Sequence, residues 1–437
     1  MIQTLIGVPA FVKICLAFAG MLLFNQIGMP LGIAILLCAT LLTAWSGTGW
    51  EALAYQVRTL SIPNNYLLLL AIFLLLFFIE ALNVTERMSR TMQALRERFS
   101  SIKFLLAGMP ALVGLLPMPG GALFSAPMVK SIDVGNEMAP SHKAAINYWF
   151  RHIWEYWWPL YPGVLLAVQY SGIPAGVFYL VQMPFTIAAI GGGSFFLLRK
   201  IRKKNIPSQK ASRLDGAALA GTLIPIGIIV IMSMIGSMLL PYAGIKGGLS
   251  SICSMIAGLV IALALVFMKN GLAFKRTLRM VRERSTWYMI ALVLGIQVFS
   301  AILKYPLDGH AGHTLIFQMQ SDFTRMGIPI ILVMAAIPFI SGTVTGVAFG
   351  FVGASFPIVF ALLGPAPAFH VIIATTTFAY GCGYLGMILS PVHVCLVVTN
   401  EFFKTKLFSM YRYIIMPALI VFACALVCSG LYYTVLP

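Results

Sequence analysis

Three ionisable residues fall in one aromatic stretch of otherwise membrane-like sequence: Arg151, His152 and Glu155, inside Asn147-Tyr148-Trp149-Phe150-Arg151-His152-Ile153-Trp154-Glu155-Tyr156-Trp157-Trp158-Pro159-Leu160-Tyr161-Pro162. An acid at membrane depth is costly and faces either a partner or an aqueous cavity. Arg151 precedes Glu155 by one helical turn, on the same face. The pair therefore either satisfies itself at the membrane interface, or one member binds solute or carries a coupling proton. His152 and His393 read as packed, hydrogen-bonded histidines or as relay groups. Glu80 reads as an acid at the end of its helix that reaches headgroups.

Two further stretches offer backbone rather than side chains. Gly114-Leu115-Leu116-Pro117-Met118-Pro119-Gly120-Gly121-Ala122 cannot continue as a helix, because two prolines lack donors and the glycines favour a turn. Pro338-Phe339-Ile340-Ser341-Gly342-Thr343-Val344-Thr345-Gly346 is the second such stretch. Broken backbone at membrane depth is tolerated where it is buried in protein or lines a cavity. A hairpin tip there aims helix N-termini, which attract anions, and carbonyls and hydroxyls, which coordinate sodium. The solute-binding candidates are therefore Pro119, Gly120, Gly121, Ser125, Ser341, Gly342, Thr343, Thr345, Gly346 and Ser355. A bent but spanning helix pair is the plainer reading of either stretch. Beyond each hairpin lies a weakened helix: the proline-broken stretch above, and Tyr380-Gly381-Cys382-Gly383-Tyr384-Leu385-Gly386-Met387-Ile388-Leu389-Ser390-Pro391-Val392-His393. Arg151, His152, Glu155, Gly381, Gly383, Ser390 and His393 are the coupling or broken-helix candidates. The tryptophans read first as packing anchors.

The elements that must hold these residues are membrane helices. The chain has 437 residues, 60% hydrophobic and only 9% charged, where soluble domains carry about 25% charged residues. A span needs about 20 apolar residues; the candidates are 5–24, 30–45, 64–84, 142–168, 173–198, 217–240, 247–268, 286–304, 368–399 and 408–436. Apolar stretches 104–130 and 327–363 are interrupted in their middles and are read as re-entrant hairpins. The basic clusters Arg87–Lys103, Arg199–Arg213, Lys269–Arg284 and Lys404–Arg412 then share one face. On that arrangement 23 of the 29 Lys and Arg are cytoplasmic, as the positive-inside rule requires. Both termini are then periplasmic, in a bacterial or archaeal inner membrane. The net charge of +17 is a topology signal and not a nucleic-acid footprint, with the lipid bilayer itself the partner. No basic n-region precedes the first apolar run, so it is kept as a helix and not as a cleaved signal. The seven cysteines lie in apolar segments without CxxC spacing, which favours free thiols over disulfides or a metal site.

The halves repeat. Ser125-Ala126-Pro127-Met128-Val129 matches Ser355-Phe356-Pro357-Ile358-Val359 at an offset of 230, Pro162 matches Pro391 at 229, and Pro184 matches Pro417 at 233. Residues 1–200 form the first repeat, 201–214 a basic cytoplasmic linker and 215–437 the second repeat. Each repeat has five crossings and a hairpin, and an odd number inverts the second copy. The predicted fold class is an all-α polytopic membrane protein of two inverted repeats. Amphipathic stripes Met88, Met92, Leu95, Phe99 and Leu315, Met319, Phe323, Met326 predict surface helices joining a scaffold to each hairpin.

The run from Gly114 to Pro127 resembles the signature of a prokaryotic integral-membrane family, domain of unknown function 401. That family is grouped with the ion transporter superfamily, beside divalent-anion/sodium symporters and gluconate and citrate carriers. The resemblance covers nearly the whole chain in helix order, and the Pro-Met-Pro-Gly-Gly stretch at residue level. It implies a homodimer, a scaffold of helices one to three and six to eight, and elevator-like movement. The divalent-anion symporters carry Ser-Asn-Thr at both tips, where this chain has Pro119-Gly120-Gly121 and Ser341-Gly342-Thr343. That departure weakens the carry-over of sodium coupling and of dicarboxylate specificity.

The sequence thus predicts an ion-coupled secondary transporter of a small anionic organic solute, with sodium or a proton as coupling ion and no other cofactor. No Walker motif marks a primary pump. A cation/proton antiporter differs mainly in what the central site holds. An intramembrane enzyme recruiting Ser125, Glu155 and His393 lacks any surrounding catalytic motif.

Overall fold

The computed structural model describes residues 8–85, 99, 101–117, 121–133, 137–201, 216–245, 247–268, 271–307, 313–364 and 366–436. Within them the chain is helical almost throughout, without a β-strand beyond an isolated Pro306–Thr314 bridge. Helices α1 (Ala10–Gln26), α2 (Leu31–Trp45), α3 (Gly49–Leu60) and α4 (Pro63–Val84) come first. A helical pair, α5 (Ile102–Gly114) and α6 (Ala122–Ile132), precedes the two-piece helix α7 (Pro140–Arg151) and α8 (Pro162–Ser171), then α9 (Ala175–Gly193). The order recurs as α10 (Gly216–Leu239), α11 (Gly248–Met268), α12 (Gly271–Thr277) and α13 (Arg284–Leu303). A surface helix α14 (Leu315–Arg325) leads to the pair α15 (Ile330–Thr345) and α16 (Ala348–Ala361), the two-piece helix α17 (Phe369–Ile388) and α18 (Val394–Phe403), and α19 (Leu407–Val435).

Among the described residues seven helices are long and apolar enough to cross a membrane, or eight if the bent pair α14–α15 is one span. The chain is therefore a multi-pass membrane protein. Seven of the ten anticipated spans are helices of that length; α1 and α2 have only 17 and 15 described helical residues, and 142–168 is divided into α7 and α8. Prolines 110, 127, 184, 225, 338, 357 and 417 lie inside helices, tolerable in lipid because neighbouring helices satisfy the freed carbonyls.

The surface helix α14 forms as its stripe predicts: Leu315, Met319 and Phe323 are buried. Met326 is not, because the helix stops at Arg325 and leaves that side chain 45% exposed. The axis bends by 119° between α14 and α15, so a helix of one orientation delivers the chain to the hairpin. The counterpart stripe, apart from Phe99, and the basic linker, apart from Ile201, lie outside the described residues. Helix α3 was not anticipated; it buries Gln56, whose Nε2 donates to Thr43 Oγ1 at 2.8 Å.

Two groups of helices emerge from the packing. In one, α2 lies along α1 and α13, and α4 along α11 and α13. Gly32 and Gly295 meet at the α2–α13 crossing, where a Cβ on Gly295 would lie 2.7 Å from Gly32 O; small residues let membrane helices approach this closely. In the other group the hairpins interlock. Hairpin α5–α6 packs on α7 and against α18, while α15–α16 packs on α17 and against α8. Each hairpin thus touches its own two-piece helix and the far piece of the other.

Candidate functional site

The first break, residues 152–161, is held open by aromatic donors. Trp154 Nε1 donates to Ala111 O at 2.8 Å, Trp158 Nε1 to Leu115 O at 3.0 Å, and the Tyr161 hydroxyl to Gly114 O at 2.5 Å. These are the orphan carbonyls at the C-terminus of α5, which otherwise need water or a cap. The tryptophans are anchors, as their composition suggested, but directed ones: they fix the hairpin to the break. Helix α7 ends at Arg151, so the one-turn relation between Arg151 and Glu155 does not hold, and no helical face joins them.

Reciprocal tyrosines tie the two breaks together. Tyr384 donates to His152 O at 3.0 Å and Tyr380 to Glu155 O at 2.5 Å, while Tyr148 donates to Ile388 O at 2.9 Å. Carbonyls freed where each helix stops are thereby satisfied by the other helix, which leaves the termini beyond the breaks available. Asn147 Nδ2 adds a link to Thr399 Oγ1 at 3.2 Å.

Within this frame the side chains converge. Arg151 Nη1 donates to Cys395 Sγ at 3.1 Å. The rings of His152 and His393 meet with their Nε2 atoms 3.0 Å apart, and His152 Nδ1 is pinned at 2.5 Å to Tyr148 O. Glu155 Oε1 lies 3.9 Å from His152 Nε2. All five residues are buried, Glu155 to 6% exposure. Gly121 sits against the Arg151 guanidinium, where no Cβ fits. Gly346 has a positive φ of 62°, and a Cβ there would stand 2.9 Å from His393 Cα. One residue of each hairpin turn therefore abuts the same cluster; Pro119 and Gly120 lie outside the described residues.

The tip hydroxyls are differently placed. Thr343 and Thr345 donate back to Phe339 O and Ser341 O at 2.9 and 2.8 Å, and Ser355 to Phe351 O at 2.6 Å. Ser125 is buried 3.5 Å from Ala122 O, and Ser341 is fully buried without a hydrogen bond. Gly342, Gly381 and Gly383 let helices close: a side chain would strike Gly383 O, Ala425 and the Phe351 ring respectively. Ser390 Oγ donates to Thr343 O at 2.6 Å, fastening the second break to the hairpin.

A cavity of about 710 Å³ reaches this cluster. Arg151, Glu155, His393, Cys395 and Thr345 line it from the hairpin group; Asn25, Glu80, Glu283 and Leu292 line it from the other. Three helix N-termini also open on it, at Pro162–Gly163, Val347–Phe349 and His393–Cys395, and none carries a side-chain cap. Uncapped N-termini present free N–H groups and the positive end of the helix dipole, although Pro162 offers no N–H of its own. His152, His393 and Cys395 also hold donor atoms within 4.8 Å of one another, a spacing a metal could use. Arg151 against the Cys395 sulfur puts a permanent cation where the metal charge would sit, so the trio suits an anion better. Sequence reasoning did not single out Cys395, Tyr161, Glu283 or the tyrosine links, because their only signal is proximity across the fold.

The fold of this polytopic all-α bundle is similar to that of a solved membrane transporter: the Alcanivorax borkumensis YdaH transporter matches with a TM-score of 0.61 and 14% identity, over 94% of this chain and 98% of that one. The chain belongs to the family described as protein of unknown function (DUF401), matched over residues 18–432. A comparison with curated proteins finds no match.

Proposed function

We propose that this protein is an ion-coupled secondary transporter of a small anionic organic solute, working as an elevator. The observation that carries the reading is the convergence of three uncapped helix N-termini and Arg151 on one cavity. Such termini bind anions with backbone N–H groups alone. The coupling ion is a proton held by Glu155, or sodium held by the tip hydroxyls. A cation/proton antiporter would have to seat its cargo beside a buried guanidinium. An enzyme would need a nucleophile with a base; Ser125 is buried within α6, and its Oγ faces Ala122 O. With the basic clusters cytoplasmic and both termini periplasmic, the cavity mouth at Glu80 and Glu283 faces the cytoplasm, which makes this an inward-open arrangement of a homodimer in the inner membrane.

Reconstituted liposomes supply the test. An imposed proton or sodium gradient is expected to drive accumulation of a small organic anion above its equilibrium level. Organic-anion movement that ignores both gradients would refute coupling, and cation flux in its place would favour the antiporter.

The elevator part rests on the division into two helix groups joined by α14. Gln26 Nε2 of the first group donates to Val344 O of the second hairpin at 2.9 Å. Sliding by one helical turn, about 5.4 Å, would bring Ile340 to the same place. Cysteines introduced at Gln26 and Val344, and separately at Gln26 and Ile340, are both expected to cross-link. Formation of only the first pair under every solute and ion condition would leave local gating of the tips as the mechanism.

A further inference from the structure

The charges around the cavity are unevenly placed. Of its described lining residues Arg151 alone is permanently cationic, and it lies at the buried end. Three acids share the lining: Glu155 inside, and Glu80 and Glu283 near the mouth, close enough for Glu283 to act electrostatically on Glu80. Glu80 is half-buried and Glu283 exposed. Between these poles the wall is apolar, with Leu76, Ile79, Met289 and Leu292 facing the space. His393, only 4% exposed, also lines the buried end.

Resting on the transport reading above, we infer that the solute is a monocarboxylate with an apolar body, and that Glu80 and Glu283 reject dianions. A carboxylate at the buried end meets Arg151 and the helix N-termini, which together satisfy one negative charge. The rest of the solute then lies along the apolar wall, where a methylene chain loses its contact with water. A second carboxylate on the far end would stand between Glu80 and Glu283 with no cation to meet it. Like charges in such a cleft, partly shielded from solvent, repel more strongly than in open water. Selectivity here comes from the repulsive element as much as from the attractive one. The sequence alone placed Glu80 among headgroups; the fold turns it toward the solute path.

Hexanoate and adipate, matched in length and differing in the second carboxylate, are the probes, with hexylamine as the cationic control. Binding to the purified full-length protein is expected to favour hexanoate over adipate by about tenfold or more, the scale of two screened charge repulsions. The Glu80→Gln, Glu283→Gln double variant is expected to tighten adipate binding by about tenfold while hexanoate stays within about threefold. Both positions are at the mouth and outside the packed cluster, so the fold should be spared, and hexanoate binding checks this. Adipate binding wild type as tightly as hexanoate would overturn the inference, as would an adipate-to-hexanoate ratio unmoved in the double variant. Tighter binding of hexylamine than of hexanoate would overturn it as well. Flux is read separately in liposomes. Hexanoate binding without flux would count against transport and leave the ligand class standing; adipate flux with weak hexanoate binding would do the reverse.

Discussion

Glu155→Gln is expected to abolish gradient-driven accumulation while leaving the protein folded and able to bind solute. The carboxyl is buried, lines the cavity, and sits 3.9 Å from His152 Nε2, within a break whose carbonyl accepts from Tyr380. An acid kept in such a place faces a partner or an aqueous path, and it marks proton and ion routes in membrane proteins. Glutamine keeps the shape and one acceptor oxygen but cannot release a proton. Accumulation of hexanoate in liposomes should therefore collapse to the equilibrium level, with exchange across the membrane retained. Binding of hexanoate in detergent should change little. If the variant accumulates solute at the wild-type rate across pH, Glu155 is structural, and the coupling role passes to Ser341, Thr343 and Thr345.

Arg151→Gln should have the largest effect on binding itself. The guanidinium lies between the first hairpin turn at Gly121 and Cys395 of the second two-piece helix, at the end of the cavity where the N-termini converge. Losing one partner of a buried charge pair costs about 3–5 kcal/mol, or about two to three and a half powers of ten in affinity. Hexanoate binding should fall by about a hundredfold or more on that scale. Arg151→Lys keeps the charge but loses the planar fork, so it should recover part of the affinity. That comparison separates charge from packing, since a variant that had merely disturbed the fold would not be ordered in this way. Size-exclusion profiles of both variants report folding. Unchanged hexanoate affinity in Arg151→Gln would remove Arg151 from the site and leave the helix termini as the sole anion ligands.

Much of the architecture could be read from residue order, because lipid permits so few solutions. Apolar runs of the required length had to be helices, and the interrupted runs at 104–130 and 327–363 had to break where proline and glycine withdraw donors and favour turns. The pairs α5–α6 and α15–α16 occur there, but the second stretch does not turn from Pro338 on: α15 runs helically through Pro338 to Thr345 and the chain turns only at Gly346, where φ is positive. The amphipathic stripe of α14 was legible as well, since a surface helix repeats its apolar side chains every turn. Short helices such as α3 and α12 escaped because they lie directly beside spans whose apolar length dominates the pattern, although α3 is itself amphipathic over its 12 residues. Arg151 and Glu155 were visible as ionisable groups in an apolar stretch, but their relation was misread as one helical turn. Pro159 and Pro162 signalled a break without fixing its start, and the aromatic donors to Ala111, Gly114 and Leu115 place it directly after Arg151.

What the sequence determined by itself, then, is where helices run and where they must stop, since both follow from local chemistry: apolar length, missing donors and flexible backbone. What only the tertiary structure decided is which stops meet. Cys395 beside Arg151, His393 against His152, and Glu80 turned toward the cavity join residues far apart in the chain. No local pattern encodes those meetings. They are set by the interlocking of each hairpin with the far piece of the other broken helix, where glycines such as Gly342 and Gly383 let backbones close and reciprocal tyrosines satisfy the carbonyls each break exposes.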